Sequence, residues 1–105
     1  MKSFAYGKPS SIEQAAYRIA QEALVNVINH ANAHHVTVQL TSFNSHLVLV
    51  VSDDGTGFDP TANNRARRFG IQGMRERAEM IGGSLEVESQ PDQGTLVMFS
   101  VGIGS

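Results

Sequence analysis

Glu22, Asn26 and Asn29 stand four and three residues apart in a stretch free of Gly and Pro, so an α-helix puts them on one face. A carboxylate there can polarise or deprotonate an attacking group, and an amide oxygen is a hard ligand suited to Mg²⁺. Further on, the apolar run Leu47 to Val51 leads into Asp53-Asp54-Gly55-Thr56-Gly57-Phe58. That order reads as a strand delivering a carboxylate, followed by glycines that let the backbone turn close to a ligand. Such a carboxylate can accept a hydrogen bond from an exocyclic amine. A third element, Gly70-Ile71-Gln72-Gly73, opens a helix whose free backbone N–H groups suit phosphates. Taken singly, each has a plainer reading: a solvated helix edge, an Asp-Gly hairpin turn, a helix start. Taken together, they are the parts of a nucleoside triphosphate site.

The bulk properties set the frame for these parts. The chain has 105 residues, enough for one domain with one core, and 41% of them are hydrophobic. Its net charge of -2 gives no overall basic field for nucleic acid. There is no cysteine, which excludes disulfides, thiolate metal sites and thiol catalysis. No apolar run approaches the length of a membrane span, and residues 1–7 lack the apolar core of a signal peptide. The expectation is a cytoplasmic domain without membrane contact, from a parent that can itself be membrane-anchored.

Positioning falls to an α-β-β-α-β-β order. Residues 1–9 read as a loosely structured lead-in. A helix starts at Ser10 or Ser11 and runs to about Asn32, with Ile12, Ala16, Ile19, Ala20, Ala23, Val27 and Ala31 as its apolar stripe and Leu24 and Ile28 widening it. Val36, Val38 and Leu40 alternate with polar residues in a half-exposed strand, and residues 46–51 return as a more buried one. Residues 59–68 are polar and read as a loop. A second helix follows from Met74 to about Ile81 and stops at Gly82-Gly83. Strands at 84–89 and 95–103 complete an α+β, two-layer sandwich: a mixed or antiparallel sheet with the helices on one face.

At this point a family resemblance becomes specific. Tyr17 to Asn26, with His30-Ala31 following, looks like the N box of sensor histidine kinases. Residues 53–58 resemble their first glycine box, residues 70–78 their second, and Gly94-Thr95 their last Gly-Thr element. The resemblance covers about residues 12–103. It points to the GHKL superfamily and to the histidine-kinase branch whose regulators usually carry a helix-turn-helix output domain.

The resemblance implies a Bergerat-type fold over residues 10–105, with a mixed sheet covered by helices. It implies ATP and Mg²⁺ as cofactors, with Asn26 as the metal ligand. Glu22 would act as polariser or general base near the γ-phosphate, and Asp53 would bind the adenine amino group. Asn29, Gly55, Gly57, Gly70, Ile71, Gly73, Met74 and Thr95 complete the implied ATP-binding set, and residues 59–69 would be the lid. The implied partners are the dimerisation domain bearing the phosphoacceptor His and, indirectly, a response regulator. Asn29 stands where the family often has Lys or Arg; Arg65, Arg67 and Arg68 could supply charge from the lid. The alternatives are a degenerate module of the same fold that acts only in docking, and an anti-sigma-factor serine kinase.

Overall fold

In the computed structural model, which describes residues 11–57 and 65–103, an uninterrupted stretch of helix formers gives α1 (Ser11–Asn26). Glu13 lies in its first turn, where the helix dipole favours a negative charge. Ala15, Ala16, Ile19 and Ala23 form its buried stripe. From Val27 to Ala31 the helix widens into a π turn, and Asn32 ends it in the left-handed conformation, with φ 49°. The wider turn changes the helical phase. Ile28, expected to widen the apolar stripe, is consequently 79% exposed.

Strand β1 (Val36–Phe43) pairs antiparallel with β2 (His46–Asp53) through a tight turn in which Asn44 and Ser45 both have positive φ. That combination matches the right-handed twist of a hairpin. Helix α2 (Arg65–Met80) carries the chain back, and β3 (Ser84–Ser89) forms a hairpin with β4 (Thr95–Gly102). The sheet order is β1-β2-β4-β3. The β2-α2-β3 crossover makes β2 and β3 parallel, but β4 returns between them. Every neighbouring pair is therefore antiparallel, so of the two sheet types expected the mixed one is not formed.

Both helices cover one face of this sheet. Their contact layer contains Ile19, Met74 and Phe99, all almost fully buried, with Leu49, Val51, Leu85, Val97 and Val101 from the strands. Burying each large side chain of this kind contributes about 1.5–3 kcal/mol. Strand β1 reaches beyond this cover and is exposed along its length.

Helix α2 starts earlier than the glycine pattern suggested. Gly70 and Gly73 lie inside it, not at its start. Each interior glycine costs about 1 kcal/mol, but the preceding Arg-Ala-Arg-Arg run favours helix and the burial of Met74 and Ala78 offsets the rest. The expected lid is thereby divided: residues 65–69 belong to α2, while residues 58–64 lie outside the described residues, as do residues 1–9. The helix ends as expected. Gly83 N–H donates to Ala78 O at 2.8 Å and Gly82 N–H to Glu79 O at 3.0 Å, the paired bonds of a Schellman motif. No helix among the described residues is long and apolar enough to cross a membrane.

Two glycines join the strand ends. Gly94 has φ +78°, and a Cβ there would lie 2.1 Å from Asp53 O; a Cβ on Gly57, φ +63°, would lie 2.1 Å from Gln90 O. Both obstacles are backbone atoms, which cannot step aside as a side chain would. The Asp92 N–H donates to Thr56 O across the same junction. Gly94→Ala should therefore lower stability by more than about 2 kcal/mol, read as a reduced urea midpoint. Gly73→Ala, whose Cβ meets nothing beyond its own helix within 4 Å among the described residues, should leave the midpoint unchanged or raise it.

Candidate functional site

A cleft opens between the end of α1, the middle of α2 and the helix-facing side of the sheet. Asn26, Asp53 and Thr95 supply its polar lining; Ala23, Val27, Val51, Ile71, Met74, Val87 and Val97 supply apolar walls. Its free volume is about 20 Å³, room for about one water molecule, so the walls lie close together. Apolar walls with a few convergent polar groups suit a flat heteroaromatic ring held by directional hydrogen bonds.

Asp53 and Thr95 each have an identifiable support. Asp53 is the last residue of β2, placed opposite Thr95 of β4. Its Oδ1 accepts the Gly55 N–H at 2.8 Å, which turns the chain immediately after the strand. Oδ2 has no hydrogen-bond partner among the described residues. The Thr95 and Ser89 hydroxyls are 2.8 Å apart, and Ser89 also donates to Gly94 O at 3.1 Å. Asn26 is half-buried at the last α-helical residue before the π turn.

Glu22, one turn earlier on α1, meets the second helix instead of lining the cleft wall. A Cβ on Gly70 would lie 3.0 Å from Glu22 Oε2 and 3.7 Å from Asn26 Nδ2. Gly70 thus lets α2 come close to the Glu22–Asn26 face. This is a packing role, where the sequence suggested a helix start. Gly57 likewise makes room for the β3–β4 turn. Gly55 is buried beside Asp53, and Gly73 is half-buried in α2.

Asn29 is exposed and does not line the cleft. Three residues along a regular helix would have kept it on the Asn26 face, but the π turn carries it away. Of Arg65, Arg67 and Arg68 the structure describes the backbone alone, so the expected lid charge lies outside the described side chains.

Asp54 had no role assigned from the sequence. Its Oδ1 accepts the backbone N–H groups of His34 and His35, each at 2.9 Å, and its Oδ2 lies 3.0 Å from His35 Nδ1. The backbone bond from His35, then the side-chain bond from the same residue, hold its carboxyl down at about 2, below the usual aspartate value. Strand alternation was the available signal: with Asp53 turned to the cleft, the next carboxylate must face elsewhere. Of the apolar wall residues, Ile71 and Met74 belong to the ATP-binding set that the family resemblance implied, while Ala23, Val27, Val51, Val87 and Val97 were legible only as helix-stripe or strand residues.

A family model described as "Histidine kinase-, DNA gyrase B-, and HSP90-like ATPase" matches residues 11–104. The chain is 38% identical over 95 residues to the signal transduction histidine-protein kinase/phosphatase DegS of Brevibacillus brevis, covering 90% of this chain and 24% of the relative. It is also 38% identical over 101 residues to an uncharacterized sensor-like histidine kinase of Chloroflexus aurantiacus, covering 91% of this chain and 17% of that one. The chain thus spans about a quarter or less of the length of these relatives. Among solved structures, the histidine kinase domain of an Erythrobacter litoralis blue-light activated histidine kinase superposes with a TM-score of 0.74 at 20% identity, over 91% of this chain and 46% of that one. The ATP binding domain of PrrB from Mycobacterium tuberculosis superposes with a TM-score of 0.68 at 20% identity, over 94% and 71%.

The helix contact at Gly70 sets up a stability test. Gly70→Ala brings a methyl group against a flexible carboxylate end, which gives way, and it removes an interior glycine worth about 1 kcal/mol. Thermal unfolding should show a Tm equal to or above the parent's. A lower Tm would mean that the two helices are locked together at this point.

Proposed function

Because the chain belongs to the histidine kinase-, DNA gyrase B- and HSP90-like ATPase family, we propose that it is the nucleotide-binding catalytic domain of a sensor histidine kinase. In this reading it delivers the γ-phosphoryl group of Mg·ATP to a histidine on a separate dimerisation domain. A cytoplasmic response regulator with a helix-turn-helix output then receives the phosphoryl group from that domain. The observation that carries the reading is the convergence of Asn26, Asp53 and Thr95, from three separated parts of the chain, on one apolar-walled cleft.

The roles follow from placement. Asp53 accepts the adenine amino group through the carboxylate oxygen that Gly55 leaves unbonded. Thr95, fixed by Ser89, supports the same end of the base. Ile71 and Met74 from α2 close over the ring, with Val51 and Val97 beneath. Asn26 faces the phosphate end. Gly70 and Gly73 keep α2 slim there, and Glu22 orients the group that attacks the γ-phosphorus.

Mg²⁺ fits the donor set at this end. Among the described residues no cluster of three or more His, Asp or Glu side chains forms a protein cage. A cation that takes one or two protein oxygens and leaves its other positions to water and phosphates suits an amide oxygen at Asn26. When bound, it would neutralise charge on the phosphates. The chain's own contribution is alignment, which is most of what phosphoryl transfer requires of a protein.

Two substitutions test the assignment by calorimetry. Asn26→Ala should remove the Mg²⁺-dependent part of ATP-analogue affinity while circular dichroism stays native; unchanged affinity would end the metal role. Asp53→Asn should weaken ATP but not free triphosphate, and equal losses would refute the adenine contact. A parent chain that binds no nucleotide with or without Mg²⁺ would leave a docking module as the surviving reading.

A further inference from the structure

Asn26 and Asp53 sit on different elements, and the segment that connects them is irregular. It runs from the end of α1 through the π turn, past the left-handed Asn32, to β1. The π turn is a single irregular turn with no side-chain cap bond at Asn26, so the helix does not by itself hold the two residues at a set spacing. The fastening comes from Asp54. Its Oδ1 accepts from His34 N and His35 N at 2.9 Å each, its Oδ2 meets the His35 ring at 3.0 Å, and its own N–H donates to His35 O at 3.2 Å. Asp54 is adjacent to Asp53, whose carboxylate is itself tied to Gly55 N.

We propose that Asp54 is a positioning residue for nucleotide binding: by fastening the His34–His35 turn to the first glycine segment, it sets the spacing between Asn26 and Asp53. The inference rests on the reading that one nucleotide spans both. The His35 and Asp54 side chains are 85% and 48% exposed, and pairs so open to water contribute little to stability. The effect of this bracket is therefore on where the two ends of the site lie. Its side chain bonds to neither Asn26 nor Asp53, so its effect falls on a ligand long enough to engage both.

Calorimetry well below the Tm tests this with Mg·ATP and with adenosine, which reaches the Asp53 end alone. Asp54→Ala should weaken Mg·ATP about tenfold and adenosine by less than about twofold. Asp54→Asn, whose amide oxygen still accepts both backbone N–H groups, should bring Mg·ATP back to within about threefold of the parent. Asp54→Glu keeps charge and acceptors but lengthens the arm; it provides a folded variant should the alanine form unfold, and it should lose Mg·ATP affinity with adenosine unaffected. Parent-like Mg·ATP binding by Asp54→Ala or Asp54→Glu overturns the inference, as does an equal loss of both ligands. A parent that binds neither ligand overturns the nucleotide reading itself, and this inference with it.

Discussion

The pairing of β2 with β4 is the constraint from which the cleft follows. It sets Asp53 beside Thr95 and lays Val51 against Val97, so the polar end and the apolar floor of the site come from one ladder. A one-residue slip would turn one strand's inward side chains to the opposite face. The close approach at Gly94 guards against that slip, because only there does the Asp53 carbonyl find space. Ser89 and Thr95 then join their hydroxyls on the far side of the same junction.

Small residues govern the second layer. Ala15, Ala16 and Ala23 on α1, with Ala78 and Gly70 on α2, let two helices lie close to the sheet and to each other. Of these, Ala23 lines the cleft itself, and a larger residue there would fill part of it. Ile19, Met74 and Phe99 supply the bulk of the core just inside the cleft, so the site is an opening at the edge of a well-packed interior. The polar side chains reach it from element ends, Asn26 at the last α-helical residue of α1 and Asp53 at the last residue of β2.

Much of this was readable from the sequence, for reasons that differ between residues. The strands announced themselves through period-two alternation, and Val97, Phe99 and Val101 are the buried set of β4. The first helix was legible through its stripe, and Asn26 with it. Asn29 and Ile28 were misplaced because local spacing assumes an unbroken 3.6-residue period, which the π turn interrupts. The start of α2 was hidden because glycine is a strong local signal for a boundary, while tertiary packing can override it. For Asp54, strand alternation says only that it faces away from Asp53; its partners are 19 and 20 residues away, and no periodicity names the far side of a bracket between a loop and a strand end.

The insertion of β4 between β2 and β3 has a consequence for how the chain is made. Synthesis runs from the N-terminus, and domains complete themselves as their last required segments emerge. Here the strand that comes last in sequence occupies the middle of the sheet. Until it emerges from the ribosome, β2 and β3 have no shared neighbour, and Phe99 cannot join Ile19 and Met74. The nascent chain can form α1, the β1–β2 hairpin and α2, but these leave their apolar sides open to solvent. Closure is a late, long-range step, of the kind that slows folding in sheets built from distant pairings.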